Sequence, residues 1–179
     1  MHNLYIIAGC NGAGKTTASY TILPEILNCQ EFVNADNIAA GISPFNPASV
    51  AFAAGRIMLH RIEELMNEGA DFAFETTLST RSYTSLIKKA RAMNYKITLV
   101  YFWLSSPAEA MARVAIRVSK GGHDIPQNII ERRYYRGLNN LFGLYMVICD
   151  LWMVVNNATE QPELVARGEG DFAELIFKQ

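Results

Sequence analysis

The sequence predicts an α/β fold in which a parallel five-stranded sheet is flanked by helices. Short apolar runs rich in β-branched and aromatic residues alternate with segments whose apolar residues recur at helical spacing. This alternation is typical of strand–helix–strand units, whose right-handed crossovers place successive strands parallel in one sheet. The run at 97–104 (ITLVYFWL) is apolar almost throughout, as expected for a strand covered on both faces.

Five strands and two amphipathic helices follow from this pattern. The strands are expected at 4–8, 31–34, 72–74, 97–104 and 151–155. Two groups of apolar residues each fall on one face of a helix: Val50, Ala54, Ile57, Met58, Ile62, Leu65 and Met66 in the first, and Tyr83, Leu86, Ile87 and Ala90 in the second. Gly69 and Asn94 stand where these helices should end.

Length and composition favour one domain spanning residues 1–179. Half of the 179 residues are hydrophobic and 18% are charged, which allows a substantial core and argues against extensive disorder. The formal net charge of −1 argues against a protein that coats nucleic acid. The three cysteines are widely spaced and indicate neither a zinc site nor a disulfide framework. The N-terminal segment has no basic region and only a short apolar run, so we expect a cytoplasmic protein without a membrane span.

A glycine-rich stretch directly after the first strand carries the strongest functional signal. Residues 9–16, GCNGAGKT, fit the pattern GxxxxGK[ST] of a phosphate-binding loop between a strand and a helix. The glycines let successive N–H groups point at phosphate oxygens, and the following helix adds its positive end. The alternative is a glycine-rich turn that binds nothing, but the whole motif and both flanking elements match.

This loop predicts a bound nucleoside triphosphate, ATP or GTP, together with Mg²⁺. Lys15 is expected to contact the β- and γ-phosphates, and the Thr16 hydroxyl is expected to bind the metal. Cys10, inside the loop, is interpreted as a small filler and not as a reactive thiol. The residues expected to hold the nucleotide are Gly9, Asn11, Gly12, Ala13, Gly14, Lys15, Thr16 and Thr17, with Arg113 from a later helix.

Two carboxylates follow the second and third strands, at the strand ends where open parallel sheets bind ligands. Asp36 can accept the proton of an attacking hydroxyl or help to hold Mg²⁺; alternatively, it is only the N-cap of a helix. Glu75 can orient metal-bound water or grip an acceptor hydroxyl beside Thr76 and Thr77, or it can cap the following helix. We favour a catalytic site for both carboxylates, with Thr77 as a substrate contact.

Arginines at helical spacing predict a helical lid over residues 113–136. Arg113 and Arg117 lie four residues apart, and Arg132 and Arg136 repeat this spacing beyond the glycine-rich loop at 121–126. Guanidinium groups suit the spread negative charge of a transferring phosphate, and a closing lid keeps water out. We expect catalytic roles for Arg117 and Arg132 and a substrate contact from Arg133. The alternative is two solvated helix faces.

Together these features predict a small-molecule kinase that transfers the γ-phosphate directly to an acceptor hydroxyl. The chain lacks the NKxD motif typical of GTPases and is short for an ABC-type ATPase. Asp36 would deprotonate the acceptor, and Glu75 would fix the acceptor or the metal shell. Contacts to the adenine base are expected from lid residues and from Asn156 and Asn157.

Seven segments in chain order resemble the zeta-toxin family of P-loop kinases, especially its compact stand-alone bacterial members. They are GCNGAGKTT, NADNIAAGISPFNP, AGRIML, FAFETTLS, YFWLSSPAEA, RVAIRVSKGGHDIP and RRYYRGLNNLF. The resemblance implies phosphorylation of UDP-N-acetylglucosamine at its amino-sugar 3′-hydroxyl, with Asp36 as the base and Glu75 and Thr77 as a substrate-positioning pair. It places the two lid arginines of the family among Arg113, Arg117, Arg132 and Arg133. The chain lacks the longer substrate-side insertions of the well-known toxins, and no antitoxin-binding segment is identified in it.

Two other functions share these motifs. A polynucleotide or RNA-end kinase would have the same loop, base and lid, but it should also carry a basic, aromatic groove; this near-neutral chain shows only the lid cluster, so we expect no nucleic-acid partner. A nucleotide-gated binding module would use hydrolysis to switch a partner interaction. The acceptor-side carboxylates argue against such a module, because a switch needs no second substrate site.

Overall fold

Seven strands form one sheet in the computed structural model, which describes residues 1–159, 161–170 and 172–176. The strand order is β2-β3-β1-β4-β5-β6-β7. The first five strands pair in parallel, and β6 and β7 extend the sheet in antiparallel pairing beyond β5. The strands are β1 (His2–Gly9), β2 (Glu31–Val33), β3 (Phe72–Thr76), β4 (Tyr95–Trp103), β5 (Leu151–Asn156), β6 (Glu163–Glu169) and β7 (Phe172–Leu175).

Helices connect the parallel strands. They are α1 (Lys15–Thr21), α2 (Ala35–Ile42), α3 (Ala51–Glu68), α4 (Tyr83–Ala92), α5 (Pro107–Ser119), α6 (Gln127–Asn140) and α7 (Met146–Ile148). Single turns of π-helix at Ile22–Ile26 and Leu141–Tyr145, and a 3₁₀ turn at Pro47–Val50, join or extend them. None of the helices among the described residues is long and apolar enough to cross a membrane.

The α/β fold with a helix-flanked parallel sheet is confirmed, but the predicted number of strands is wrong: the sheet has seven, not five. The two missed strands lie after residue 160 and carry only short apolar runs. In β6, three apolar residues at 164–166 are flanked by the charged side chains of Glu163 and Arg167, and β7 has only four residues. Both strands lie at the sheet margin, where one-sided burial does not require continuous apolar sequence.

The core consists of two apolar layers, one on each face of the sheet. Along β1, Leu4 and Ile6 face one layer and Tyr5 and Ile7 face the other, because successive side chains of a strand alternate. The first layer is closed by α3 and α4, and the second by α1, α5 and α6. The apolar face predicted for α3 is buried at Ala54, Met58, Ile62, Leu65 and Met66, whereas Ile57 is half exposed.

The predicted helix ends are confirmed. Gly69, with φ +67°, follows the last residue of α3 and caps it. Asn94, with φ +66°, lies two residues beyond α4 and directly precedes β4. Both residues reverse the chain so that the next strand can begin.

The parallel register brings the functional loops to one edge of the sheet. Ile7 and Ala8 of β1 pair with Glu75 and Thr76 of β3, and Gly9 pairs with Phe102 of β4. The carboxyl ends of β1, β2, β3 and β4 therefore meet at a common edge, where parallel sheets bind their ligands.

Candidate active site

The glycine-rich loop has a backbone that only glycine accommodates at three of its positions. Gly9 has φ +143°, and Gly12 and Gly14 both have φ +80°. A Cβ on Gly12 would lie 2.8 Å from the carbonyl oxygen of Ala110 in α5, and a Cβ on Gly14 would lie 2.6 Å from Asn157 Nδ2. Ala110 and Asn157 thus pack against one side of the loop, and a ligand can reach the opposite side. This bare cradle fits a polyphosphate.

Lys15 is buried at the first position of α1 and joins the loop to the neighbouring strand. Its Nζ donates a 3.0 Å hydrogen bond to the carbonyl oxygen of Cys10 and lies 3.5 Å from Glu75 Oε1. Burial raises the pKa of the Cys10 thiol to about 11, which keeps it protonated at neutral pH. That protonation agrees with the interpretation of Cys10 as a filler.

Glu75, at the end of β3, is the centre of a polar cluster. Its Oε2 accepts hydrogen bonds from the Thr16 hydroxyl at 2.7 Å and from Asn34 Nδ2 at 2.8 Å, while Oε1 faces Lys15. The alternative that Glu75 caps the following helix is wrong, because α4 begins only at Tyr83. Glu75 instead fixes the side chains of the phosphate-binding loop.

Asp36 lies across this cluster, at the start of α2. The alternative that it is the helix N-cap is wrong, because Asn34 is the cap: Asn34 Oδ1 accepts from Asp36 N at 2.8 Å and from Asn37 N at 3.2 Å. The Asp36 carboxylate is exposed, and within the described residues it forms no hydrogen bond or ion pair. It is therefore free to receive a proton or contact a metal ion.

Two cavities meet at these residues. The loop cavity, of about 270 Å³, and the inner cavity, of about 210 Å³, share Asn11, Lys15, Asp36 and Glu75. The loop cavity is completed by Gly12, Gly14, Thr16, Thr17, Arg113 and Arg117. The inner cavity is completed by Asn34, Ala35, Met58, Thr76, Thr77, Thr80, Tyr83 and Arg133. One compartment is thus built around the phosphate-binding loop and the other around the ends of β2 and β3.

Two of the predicted lid arginines line the loop cavity. Arg113 forms an ion pair with Glu109 at 3.1 Å and donates a 2.9 Å hydrogen bond to the carbonyl oxygen of Ala158. Arg117 donates a 2.7 Å hydrogen bond to the carbonyl oxygen of His123 in the loop between α5 and α6. Both guanidinium groups are held at the cavity by contacts with backbone carbonyls.

The three predicted lid arginines on α6, Arg132, Arg133 and Arg136, lie in different places. Arg136 lines neither the loop cavity nor the inner cavity. Arg133 lines the inner cavity and donates a 3.3 Å hydrogen bond to Asn11 Oδ1. Burial lowers the pKa of its guanidinium, and the nearby Asp36 carboxylate opposes that shift. Arg132 is exposed and lines neither cavity, so its catalytic role stays a prediction.

Two asparagines contribute more than the sequence indicated. Asn34 was not predicted as a site residue, although its place two residues before Asp36, directly after β2, is a helix-cap signal. Asn157, expected to contact adenine, donates a 2.7 Å hydrogen bond to the carbonyl oxygen of Ala13. Its amide therefore supports the phosphate-binding loop, and its contact with a base stays a prediction.

The oxygen atoms around Thr16 suit a magnesium ion. The Thr16 hydroxyl and the carboxylates of Asp36 and Glu75 are hard oxygen ligands of the kind that Mg²⁺ prefers. Across residues 1–159, 161–170 and 172–176, no group of three or more His, Cys, Asp or Glu side chains is placed to hold a metal ion by itself. Magnesium in phosphoryl-transfer sites is usually bound by one or two protein oxygens together with phosphate oxygens and water.

A sequence profile of the Zeta toxin family matches residues 2–157, nearly the whole chain. The chain belongs to the zeta toxin family. One relative, an uncharacterised protein of Haemophilus influenzae (strain ATCC 51907 / DSM 11121 / KW20 / Rd), is 30% identical over 126 residues, which cover 70% of this chain and 88% of that protein. The resemblance inferred from the sequence is therefore confirmed.

Solved structures share the fold at low sequence identity. The PezAT toxin–antitoxin system of Streptococcus pneumoniae includes a chain with a TM-score of 0.68 and 15% identity, over 87% of this chain and 68% of that one. A chain of AvrRxo1-ORF1:-ORF2 with ATP gives a TM-score of 0.79 and 16% identity, over 98% of this chain and 60% of that one. A gluconokinase from Sinorhizobium meliloti 1021 gives a TM-score of 0.56 and 14% identity, over 88% of this chain and 83% of that one. This zeta-toxin family chain thus has a P-loop kinase fold.

Proposed function

We propose that this zeta-toxin family chain is a kinase that transfers the γ-phosphate of ATP or GTP to a hydroxyl of a small molecule. The observation that carries the proposal is the junction of the loop cavity with the inner cavity at Asn11, Lys15, Asp36 and Glu75. A triphosphate bound by the glycine-rich loop would extend toward this junction. An acceptor in the inner cavity would approach the junction from the other side. Asp36 would then lie between the triphosphate and the acceptor.

In the proposed step the acceptor hydroxyl gives its proton to the Asp36 carboxylate while its oxygen bonds to the γ-phosphorus. The bond from that phosphorus to the β–γ bridging oxygen breaks, and ADP or GDP leaves. Lys15 and Arg117, both at the loop cavity, would neutralise the charge on the phosphate oxygens. Thr16 and Asp36 would hold Mg²⁺, which would supply further neutralisation, and Glu75 would keep the Thr16 hydroxyl oriented.

The acceptor we favour is a UDP-sugar, with UDP-N-acetylglucosamine as the first candidate by family resemblance. Thr77 and Arg133 line the inner cavity and would contact it. The PezAT relative belongs to a toxin–antitoxin system, so an antitoxin protein is the partner to test first. The expected cytoplasmic location stays a prediction.

The decisive experiment is incubation of the purified chain with Mg²⁺ and ATP or GTP and a panel of hydroxyl metabolites, followed by mass spectrometry. The panel includes UDP-sugars, free sugars, and an oligonucleotide with a 5′-hydroxyl. We expect one phosphate to be added to a single small-molecule class and no addition with Lys15→Ala. Phosphorylation of the oligonucleotide alone would favour an RNA-end kinase, and nucleotide hydrolysis without any phosphorylated product would favour a nucleotide-gated binding module.

A further inference from the structure

The side chain of Asn11 lies where the two cavities meet, and the proposed transfer step gives it no task. Within the phosphate-binding loop at 9–16, Asn11 and Lys15 line both the loop cavity and the inner cavity. Lys15 belongs to the motif GxxxxGK[ST], whereas Asn11 fills one of its four variable positions, so the motif does not explain this residue. Asn11 is buried, with only 6% of its surface exposed. A buried polar side chain at this point is placed to touch a group that passes between the cavities.

The Arg133 guanidinium fixes the orientation of the Asn11 amide. Arg133 Nη1 donates a 3.3 Å hydrogen bond to Asn11 Oδ1. Because a guanidinium group can donate but cannot accept, it selects the oxygen of the amide and not the nitrogen. The Nδ2 group is therefore the end of the Asn11 side chain that stays available to another partner.

This Nδ2 group is an unused hydrogen-bond donor. It forms no hydrogen bond within the described part of the chain, whereas Asn34 Nδ2 donates to Glu75 and Asn157 Nδ2 donates to Ala13. It is also accessible, because no fully buried side-chain nitrogen or oxygen among the described residues lacks a partner. A buried asparagine that keeps one accessible donor free can use it for a ligand in the adjoining cavities.

The helix that carries Arg133 is held against the wall of the inner cavity. One turn further along α6, a Cβ at Gly137 would lie 2.6 Å from the carbonyl oxygen of Thr77. Two turns further, Asn140 Nδ2 donates a 2.7 Å hydrogen bond to the carbonyl oxygen of Leu78. These contacts keep Arg133 in a constant position beside the junction. The amide that it orients is therefore preorganised, and a preorganised donor costs no reorganisation during a reaction.

We infer that the side-chain amide of Asn11 is a catalytic donor that hydrogen-bonds an oxygen of the transferring phosphoryl group, and that Arg133 is its positioning residue. The inference rests on the proposed function, in which this group crosses the junction from the loop cavity to the inner cavity. No covalent bond to Asn11 forms or breaks. The amide stabilises the negative charge that is spread over the phosphoryl oxygens in the transition state, so it should act on kcat more than on nucleotide binding.

The test uses a mimic of the transferring group and needs no acceptor. Mg²⁺ and ADP are titrated into the full chain by calorimetry, with and without aluminium fluoride, whose complex takes the place of the γ-phosphoryl group. Asn11→Ala and Asn11→Leu both remove the amide, and the leucine keeps most of the side-chain volume. Arg133→Met removes the group that orients the amide. Lys88→Gln, at an exposed position on α4 outside both cavities, is the control, and circular dichroism confirms folding of each variant.

We expect aluminium fluoride to tighten ADP binding to the wild-type chain at least tenfold, because mimics of the transition state bind more tightly than ground-state ligands. Both Asn11 variants should lose most of this gain, while their affinity for ADP alone stays within about threefold of wild type. Arg133→Met should lose part of the gain, and Lys88→Gln none. The full gain in a folded Asn11 variant or in Arg133→Met would overturn the inference. So would the absence of any gain in the wild-type chain, or a loss of ADP affinity as large as the loss of the gain.

The same variants separate this inference from the proposed function. If the gain depends on Asn11 as expected but no metabolite on the panel is phosphorylated, only the kinase proposal fails. If a metabolite is phosphorylated, Asn11→Ala should lower kcat about tenfold or more and change the KM for nucleotide only a few-fold. An unchanged kcat in that case would mean that only the Asn11 inference fails.

Discussion

The Thr16 hydroxyl donates a 2.7 Å hydrogen bond to Glu75 Oε2 and thereby ties the phosphate-binding loop to the end of β3. The other oxygen of the same carboxylate lies 3.5 Å from Lys15 Nζ. One side chain thus orients both loop residues that are expected to contact phosphate and metal. Glu75 is therefore as much a part of the nucleotide site as of the acceptor site.

Replacing Glu75 with glutamine should separate the effect of its negative charge from the effect of the hydrogen bond that it accepts from Thr16. The amide oxygen can still accept from Thr16, but the negative charge beside Lys15 is lost. We expect kcat to fall by about 10²-fold while the KM for nucleotide changes only a few-fold. Steady-state kinetics with both substrates measure this, with Glu25→Gln, an exposed position, as the control. An unchanged kcat would contradict the proposed role of Glu75.

The variants Asp36→Asn and Lys15→Ala should each nearly abolish transfer for different reasons. Asp36→Asn removes the proposed base, for which a loss of roughly 10²–10⁴-fold in kcat is typical. Because the Asp36 side chain is exposed, the free energy of unfolding should change by less than about 0.5 kcal/mol. Lys15→Ala should weaken nucleotide binding as well. Folded Asp36→Asn protein with near-wild-type turnover would remove the base assignment.

The lid arginines should respond unequally to removal of their charge. Arg117 lines the loop cavity, so Arg117→Gln should lower kcat about tenfold or more, with a smaller effect on ATP affinity. Arg132 is exposed in this structure, so an equal loss in Arg132→Gln would require the lid to close over the nucleotide. Single-turnover rates compare the two directly. An unchanged kcat in both variants would refute the lid role.

Two substitutions at Asn34 should distinguish its cap from its contact with Glu75. Asn34→Asp keeps an N-cap oxygen but places a second carboxylate where an amide donated at 2.8 Å. We expect it to be inactive, and its stability deficit should grow from pH 5 to pH 8, because a proton shared at low pH relieves the repulsion. Asn34→Ala loses the cap and should cost about 1 kcal/mol at both pH values. Denaturant titrations at the two pH values provide the measurement.

The change Gly14→Ala should disable nucleotide binding through the backbone. Its φ of +80° disfavours any side chain, and a Cβ would lie 2.6 Å from Asn157 Nδ2. We expect a loss of about 1–2 kcal/mol in stability and at least tenfold weaker binding of a fluorescent ATP analogue. Gly55→Ala is the control, because its Cβ would meet nothing within 4 Å in the interior of α3. Wild-type affinity in Gly14→Ala would contradict a phosphate cradle at this loop.

Most of the fold could be predicted because its central strands are buried on both faces. Such strands are apolar throughout, and the intervening helices carry a clear apolar face, so β1 to β5 were visible in the sequence. β6 and β7 were not, because Arg167 and Glu174 pair across them in solvent and break the apolar pattern. Strands of this kind are defined by their neighbours more than by their own composition.

The site was predictable where a local motif determines the geometry, and less so elsewhere. The phosphate-binding loop is one continuous segment, so its residues could be named in advance. Arg132 and Arg133 are adjacent in sequence but point about 100° apart around α6, and only tertiary packing decides which reaches Asn11. The contact between Asn34 and Glu75 depends likewise on the pairing of β2 with β3.

The packing of Gly12 against α5 limits how this protein can open. Because Gly12 lies against Ala110 and Arg113, and Arg113 is anchored to Ala158, we expect the first half of α5 to move together with the phosphate-binding loop. A hinge can then fall only further along the chain, between Arg113 and the start of α6. Ligand entry would then move the loop at 121–126, between α5 and α6, and leave the start of α5 in place.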